Sequence, residues 1–155
     1  MEQLQRKRVD EQKVISILHT GSYDEIGQVH RDLREWASEH NAETTGQAIT
    51  VFLSAPDEFD ARSAMFEVCI PVVGHISGDD EVTVKNVPAV MVAFTTVECS
   101  YEEMPARYSE MLAWLSVQGM AVAGPAREVY INPPRSQDDV SNEKRVVEMQ
   151  FPISE

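Results

Sequence analysis

The chain carries one pattern twice, displaced by 78 residues. Ser22-Tyr23-Asp24-Glu25 recurs as Ser100-Tyr101-Glu102-Glu103, and Trp36, Gly46, Val51 and Pro56 recur as Trp114, Gly124, Val129 and Pro134. Phe52 falls on Tyr130, an aromatic on an aromatic. Positions 14 to 56 hold ten such identities. Composition alone supplies roughly two or three over that length. A repeat this long means two copies of one supersecondary unit, and a duplicated unit places a natural site at its seam.

Each copy opens with a short apolar run, residues 14–18 and 90–94, read as a strand. Ser22 and Ser100 then stand three residues before Glu25 and Glu103, the spacing of a capping box and therefore of two helix starts. Ile26, Val29, Leu33, Trp36 and Ala37 form one helical stripe; Met104, Tyr108, Met111 and Leu115 form its counterpart, widened by Leu112 and Trp114. Asn41 and Gly119 occupy matched positions and are the residue types that tolerate a left-handed helix end. Strands follow at 48–53 and 126–131, then turn-rich segments at 54–60 and 132–141. Closing strands are expected at 65–71 and 146–152, where the offset has grown to 81.

The unit is β-α-β-β, run twice. Copy one covers about residues 9–73, an acidic linker 74–81, and copy two about 82–152 of a single domain over 9–155. Residues 1–8 form a charged N-terminal segment without a pattern. The expected class is α+β: an antiparallel sheet with pseudo-two-fold symmetry, both helices on one face, and a cleft between the copies.

Bulk properties narrow the chemistry. A length of 155 residues supports a self-sufficient core. The net charge of −13 repels phosphate backbones, so direct nucleic-acid binding is not expected. Cys69 and Cys99 form no CxxC pair, and His19, His30, His40 and His75 are scattered, so neither a metal nor another cofactor is expected. The charged N-terminus lacks the apolar core of a signal peptide, and no apolar run is long enough to cross a membrane. A reduced, cytoplasmic setting is expected.

Strand alternation sorts the candidate site residues. Placing Val129 and Ile131 against the helices turns Glu128 and Tyr130 away from them. By the same rule Ile49, Val51 and Leu53 face inward and Thr50 and Phe52 outward. On the closing strands Phe66, Val68 and Ile70 are inward, as are Val147, Met149 and Phe151. The outward face then gathers Phe52, Tyr130, Met65, Cys69 and Val146 with Glu67, Glu128 and Glu148. Aromatics mixed with carboxylates suit a pocket for an aromatic or lipophilic cation. Glu67 and Glu148, as mid-strand glutamates, also serve simply to keep an exposed sheet soluble.

The run Gly124-Pro125-Ala126-Arg127-Glu128-Val129-Tyr130, followed by Pro133 and Pro134, resembles the GyrI-like small-molecule-binding superfamily. So do His19-Thr20-Gly21-Ser22-Tyr23-Asp24-Glu25-Ile26 and the ending Cys69-Ile70-Pro71. The resemblance spans about residues 9 to 152. That group includes effector-binding domains of multidrug-responsive transcription activators and the DNA gyrase inhibitory protein. It implies a duplicated β-α-β-β fold and a buried glutamate in the cleft, which maps to Glu128 with Tyr130 beside it. Two departures stand out. Glu98-Cys99 replaces a His-x-Gly-like stretch, and the few residues before the first strand leave no room for a helix-turn-helix, so a stand-alone domain is expected.

The leading expectation is a module that takes up a hydrophobic, cationic or planar aromatic molecule. Glu128 would act as acceptor or counter-charge, with Phe52, Tyr130, Tyr108, Tyr23 and Tyr101 as walls. The alternative is a metal-free hydrolase of reactive electrophiles, with Glu128 as general acid or base and Tyr130 assisting. A third is a gyrase-inhibitor-like contact with a protein partner, gyrase or a transcription factor.

Overall fold

The computed structural model describes residues 4–54, 64–100, 102–131 and 145–154. Copy one contributes β1 (Gln5–Val9), β2 (Gln12–Gly21), α1 (Ile26–Glu39), the two-residue β3 (Glu43–Thr44), β4 (Ile49–Phe52) and β5 (Ala64–Val73). Copy two contributes β6 (Thr83–Val87), β7 (Val90–Cys99), α2 (Met104–Val117), β8 (Arg127–Tyr130) and β9 (Arg145–Pro152). The architecture is α+β, as the repeat implies. Among the described residues no helix is long and apolar enough to cross a membrane.

Helix starts and ends follow local chemistry. In copy two the capping box closes: the Ser100 amide donates to Glu103 at 2.9 Å and the Glu103 amide to Ser100 Oγ at 3.3 Å. Copy one keeps only half of it. Ser22 Oγ accepts from the Asp24 amide at 3.2 Å, while Glu25 turns to His19 Nε2 at 2.9 Å. A single 3₁₀ turn over Tyr23–Glu25 therefore precedes α1. Both helices end alike. Asn41 and Gly119 take positive φ, 54° and 74°, and the next amides reach back to the carbonyls of Ala37 and Leu115 at 2.8 and 2.9 Å. These are matched Schellman ends.

The strands run in the order β1-β7-β9-β8-β4-β5-β2-β6, with β3 beside β5. From the centre outward the two halves repeat: β8-β9-β7 one way, β4-β5-β2 the other. The outermost strand of each half comes from the opposite copy. Gln5 of β1 faces Phe94 of β7, and the repeat-equivalent Thr83 of β6 faces Ser16 of β2. The unit is thus longer by one strand than the sequence pattern suggests. β1 lies mostly within the segment read as unpatterned, because Arg6, Lys7 and Arg8 give it the charge typical of a sheet edge. Leu4 and its mate Val82 anchor the starts of the two edge strands in the main core.

One core unites both helices with the sheet: Leu33, Trp36, Met111 and Leu115 pack over Phe66, Val68, Met149 and Phe151. A smaller apolar cluster on the opposite face holds Val14, Ile49 and Cys69, with Val51, Val87 and Val129 against it. That second cluster overturns the expected facing of β4 and β8. Ile49, Val51 and Val129 belong to it, whereas Phe52, Ala126 and Tyr130 belong to the helix-side core. Both faces of these short strands are covered, so hydrophobicity does not distinguish inside from outside. Glu128 and Tyr130 therefore lie under the helices, not away from them. The facing of β5 and β9 agrees with the alternation.

If β1 is a docked strand, Leu4→Ala should cost about 2–4 kcal/mol in urea unfolding, the usual range for a buried leucine. A loss under about 0.5 kcal/mol, the range of a surface substitution, would mean the entry to β1 contributes nothing to the core.

Candidate functional site at the repeat seam

The two copies meet where β4 lies antiparallel to β8. Thr50 stands directly opposite Glu128, with Ile49 against Val129 on one side and Val51 against Arg127 on the other. Thr50 and Glu128 are themselves repeat mates, so the pseudo-two-fold axis passes between them. The flanking bonds obey the same symmetry. The Phe52 amide donates to the Ala126 carbonyl at 2.9 Å, and the Tyr130 amide to Ala48 at 3.0 Å.

A connected polar cluster sits on the helix side of this axis. Glu128 is fully buried, and Arg145, 3% exposed at its side chain, grips both its oxygens: Nη1 to Oε1 at 2.6 Å and Nη2 to Oε2 at 3.2 Å. The Arg145 guanidinium also lies 5.9 Å from the centre of the Tyr130 ring. Thr50 donates its hydroxyl to the Tyr130 oxygen at 3.2 Å, and His30 Nε2 meets Thr50 Oγ1 at 3.2 Å. With Thr50 donating onward, the Nε2–H tautomer of His30 completes the chain. The imidazole sets its edge against Tyr130 at 4.6 Å between ring centres. Burial, then the charges of Arg34 and Arg145, pushes the His30 pKa down to about 3, so the ring is neutral.

The residues singled out from sequence divide between the two faces of the sheet. Glu128, Tyr130 and Phe52 are brought together under the helices. Tyr23 meets Phe52 edge-on at 5.6 Å and donates its hydroxyl to the Ser54 carbonyl at 3.4 Å. Tyr108 of α2 packs on Phe151 at 5.4 Å. Tyr101 lies outside the described residues. Met65, Glu67, Cys69 and Glu148 are on the other face, away from this cluster. Glu67 pairs with Lys85 at 2.6 Å and Glu148 with Lys7 at 2.7 Å. Burial, reinforced by Glu67, pushes the Cys69 thiol up to about 12, leaving it protonated and unreactive.

Three members of the cluster had no sequence signal strong enough to single them out: His30, Thr50 and Arg145. His30 is the repeat mate of Tyr108 and borders the apolar stripe of α1. Arg145 lies one alternation step before Val147, on the same inward face. Extending the β9 pattern backward by two residues would have found it.

The model for the GyrI-like small molecule binding domain matches residues 3–154. The chain belongs to that family. No curated protein is similar enough in sequence to match. Among solved structures, the chain is similar to EcmrR in its complex with DNA, with TM-score 0.83 and 16% identity, covering 99% of this chain and 57% of that one. This GyrI-like chain therefore spans little more than half of that EcmrR chain. It matches the EcmrR C-terminal domain almost end to end, with TM-score 0.76, 17% identity and 99% and 98% coverage. It also resembles a hydrolase from Listeria innocua, with TM-score 0.66, 12% identity and 98% and 92% coverage. A further similar structure is SAV2435 bound to tetraphenylphosphonium, with TM-score 0.61, 10% identity and 99% and 94% coverage.

Two outcomes check the cluster. Arg145→Met should destabilise the GyrI-like domain by about 3–5 kcal/mol by stranding a buried carboxylate. Adding Glu128→Leu should recover most of that loss, and additive losses in the double variant would show that the pair is not coupled. The His30 shift sets a pH window. In the unfolded chain the imidazole takes up a proton below pH 6.5, while in the fold it resists protonation down to about 3. Stability should therefore fall as pH drops through that interval, with a slope approaching about 1.4 kcal/mol per unit. Urea midpoints from pH 7 to 4 should show this component in wild type and lose it in His30→Gln.

Proposed function

We propose that the domain takes up a hydrophobic aromatic molecule in the cleft between its two copies, above the Thr50–Glu128 seam. The family is one of small-molecule-binding domains, and the seam offers what such a ligand needs: aromatic area from Phe52 and Tyr130 beside a small set of fixed polar groups. The observation that carries the reading is the bidentate grip of Arg145 on Glu128.

A lone buried carboxylate would favour a cationic ligand, because an arriving charge relieves its desolvation. In this chain Arg145 already fills that role. A cation must displace the guanidinium before it can reach Glu128, whereas a neutral aromatic need not. The pocket therefore favours neutral over cationic ligands of the same shape. Glu128, Thr50 and Tyr130 are buried, so uptake also requires the cleft to open. A carboxylate held at both oxygens by one guanidinium is poorly placed to accept a proton from water, which supports uptake over hydrolysis. In a cell, a ligand-stabilised cleft would report to a DNA-binding partner. The fold shared with the EcmrR domain supports that role.

Thermal unfolding against tetraphenylphosphonium and the neutral, similarly shaped triphenylphosphine oxide tests this directly. The neutral compound should stabilise wild type at least as much as the cation, and Arg145→Met should shift the preference toward the cation by tenfold or more in apparent affinity. A wild type that strongly prefers the cation, with no change in Arg145→Met, would refute the role given to Arg145.

A further inference from the structure

The face of the sheet away from the helices carries two cavities related by the same pseudo-two-fold axis. The larger, about 410 Å³, is lined by Val51, Cys69 and Arg127 of the sheet, by Val87 and Pro88 at the end of β6, and by Pro152. Its mate, about 280 Å³, is lined by the equivalent Val129, Gln150, Ile49 and Val9, by Arg8, and by Arg127 itself, which stands between the two. Each cavity has one glutamate neutralised by a lysine from the swapped edge strand: Glu67 with Lys85 at 2.6 Å, and Glu148 with Lys7 at 2.7 Å. The symmetry extends to these ion pairs.

It breaks at Arg127. The matching position in copy one is Ile49, so the fold itself needs only an apolar residue there. Arg127 is 6% exposed, and burial works against its charge. Its Nε donates to Gln150 Oε1 at 2.7 Å. Its Nη2 is buried with no hydrogen-bond partner, and among the described residues the guanidinium makes no ion pair. A buried guanidinium nitrogen left without an acceptor is costly, and a carboxylate is the acceptor whose geometry suits it.

We infer that the larger cavity is a second ligand site, separate from the seam, which takes a small monocarboxylate with an apolar or aromatic body. Arg127 anchors the carboxylate, and Val51, Val87, Pro88 and Pro152 receive the body. The volume lies in the range that encloses a small organic molecule. Lys85 balances Glu67 on the lining, so Arg127 leaves the cavity one net positive charge, which matches a monocarboxylate better than a multiply charged phosphate. The walls come from β4, β5, β8 and the β6–β7 crossover, so the site joins both copies and an occupant would tie the swapped strand to the sheet.

Benzoate is the probe, titrated into methyl-labelled protein with valine resonances followed by NMR. Saturable binding should move the Val51 and Val87 methyls, and uncharged benzamide should bind at least tenfold more weakly. Arg127→Ile restores the residue present at the mate position and should fold, as its spectrum checks; it should weaken benzoate at least tenfold, with part of the loss recovered by Arg127→Lys. The inference is overturned by equal affinity for benzamide, by undiminished benzoate binding in Arg127→Ile, by shifts centred on Val147, the neighbour of Tyr130 on the helix side, instead of Val51 and Val87, or by no saturable binding at millimolar benzoate. Triphenylphosphine oxide binding at the seam should be unchanged in Arg127→Ile, so failure at this site and failure at the seam are separable.

Discussion

Four residues of β4 lie antiparallel against four of β8, and the rest of the molecule is arranged around that short contact. It joins two half-sheets that each run through three strands of one copy in the same order before the swapped edge strand. It also forces Thr50 and Glu128, repeat mates of different chemistry, to face each other across the axis. On a true two-fold axis identical residues meet themselves. In a duplicated chain the two residues there can diverge: Thr50 bonds to Tyr130 and His30, Glu128 to Arg145, and the Arg145–Tyr130 contact brings the two groups into one polar cluster.

The cluster is held by a buried ion pair, whose energetics set what its surroundings must supply. Taking a carboxylate and a guanidinium out of water costs several kcal/mol each, a cost offset only when geometry is good and remaining polar atoms find partners. Glu128 and Arg145 meet the first condition with two parallel bonds, and Thr50 ties Tyr130 to His30 alongside, while His30 Nδ1 is buried without a hydrogen bond. Such a pair adds little to net stability relative to a well-packed apolar pair. It does fix which charge occupies the cleft. Glu128 is therefore not a vacant receptor for positive charge but half of a closed pair.

Divergence between the copies separates scaffold from chemistry throughout. Residues retained in both, such as Trp36 and Trp114 or Val51 and Val129, pack the core and the sheet. Residues that differ at matched positions carry polar function: His30 against Tyr108, Thr50 against Glu128, Ile49 against Arg127. The swapped edge strands belong to the scaffold. By placing β1 on copy two and β6 on copy one, they interlock the halves beyond the short seam and bring a lysine to each outer cavity.

The repeat, the helix starts and ends, and the inward faces of β5 and β9 were legible in the sequence because each rests on local chemistry: a cap, a left-handed residue, a stripe or an alternation covered on one side. Glu128 and Tyr130 could be named as site residues through family resemblance, but not placed. Their strand is buried on both faces, so alternating hydrophobicity pointed Val129 to the wrong side, and Ile131, expected inward, is exposed. β1 was hidden by its charge, since an edge strand needs no apolar pattern. Only the tertiary structure decided that Arg145 closes on Glu128, that His30 and Thr50 join them, and that Arg127 stands between two outer cavities. These are contacts between residues 17 to 80 positions apart. Local sequence determines the units of this protein, while partners for its buried charges depend on how the two units are brought together.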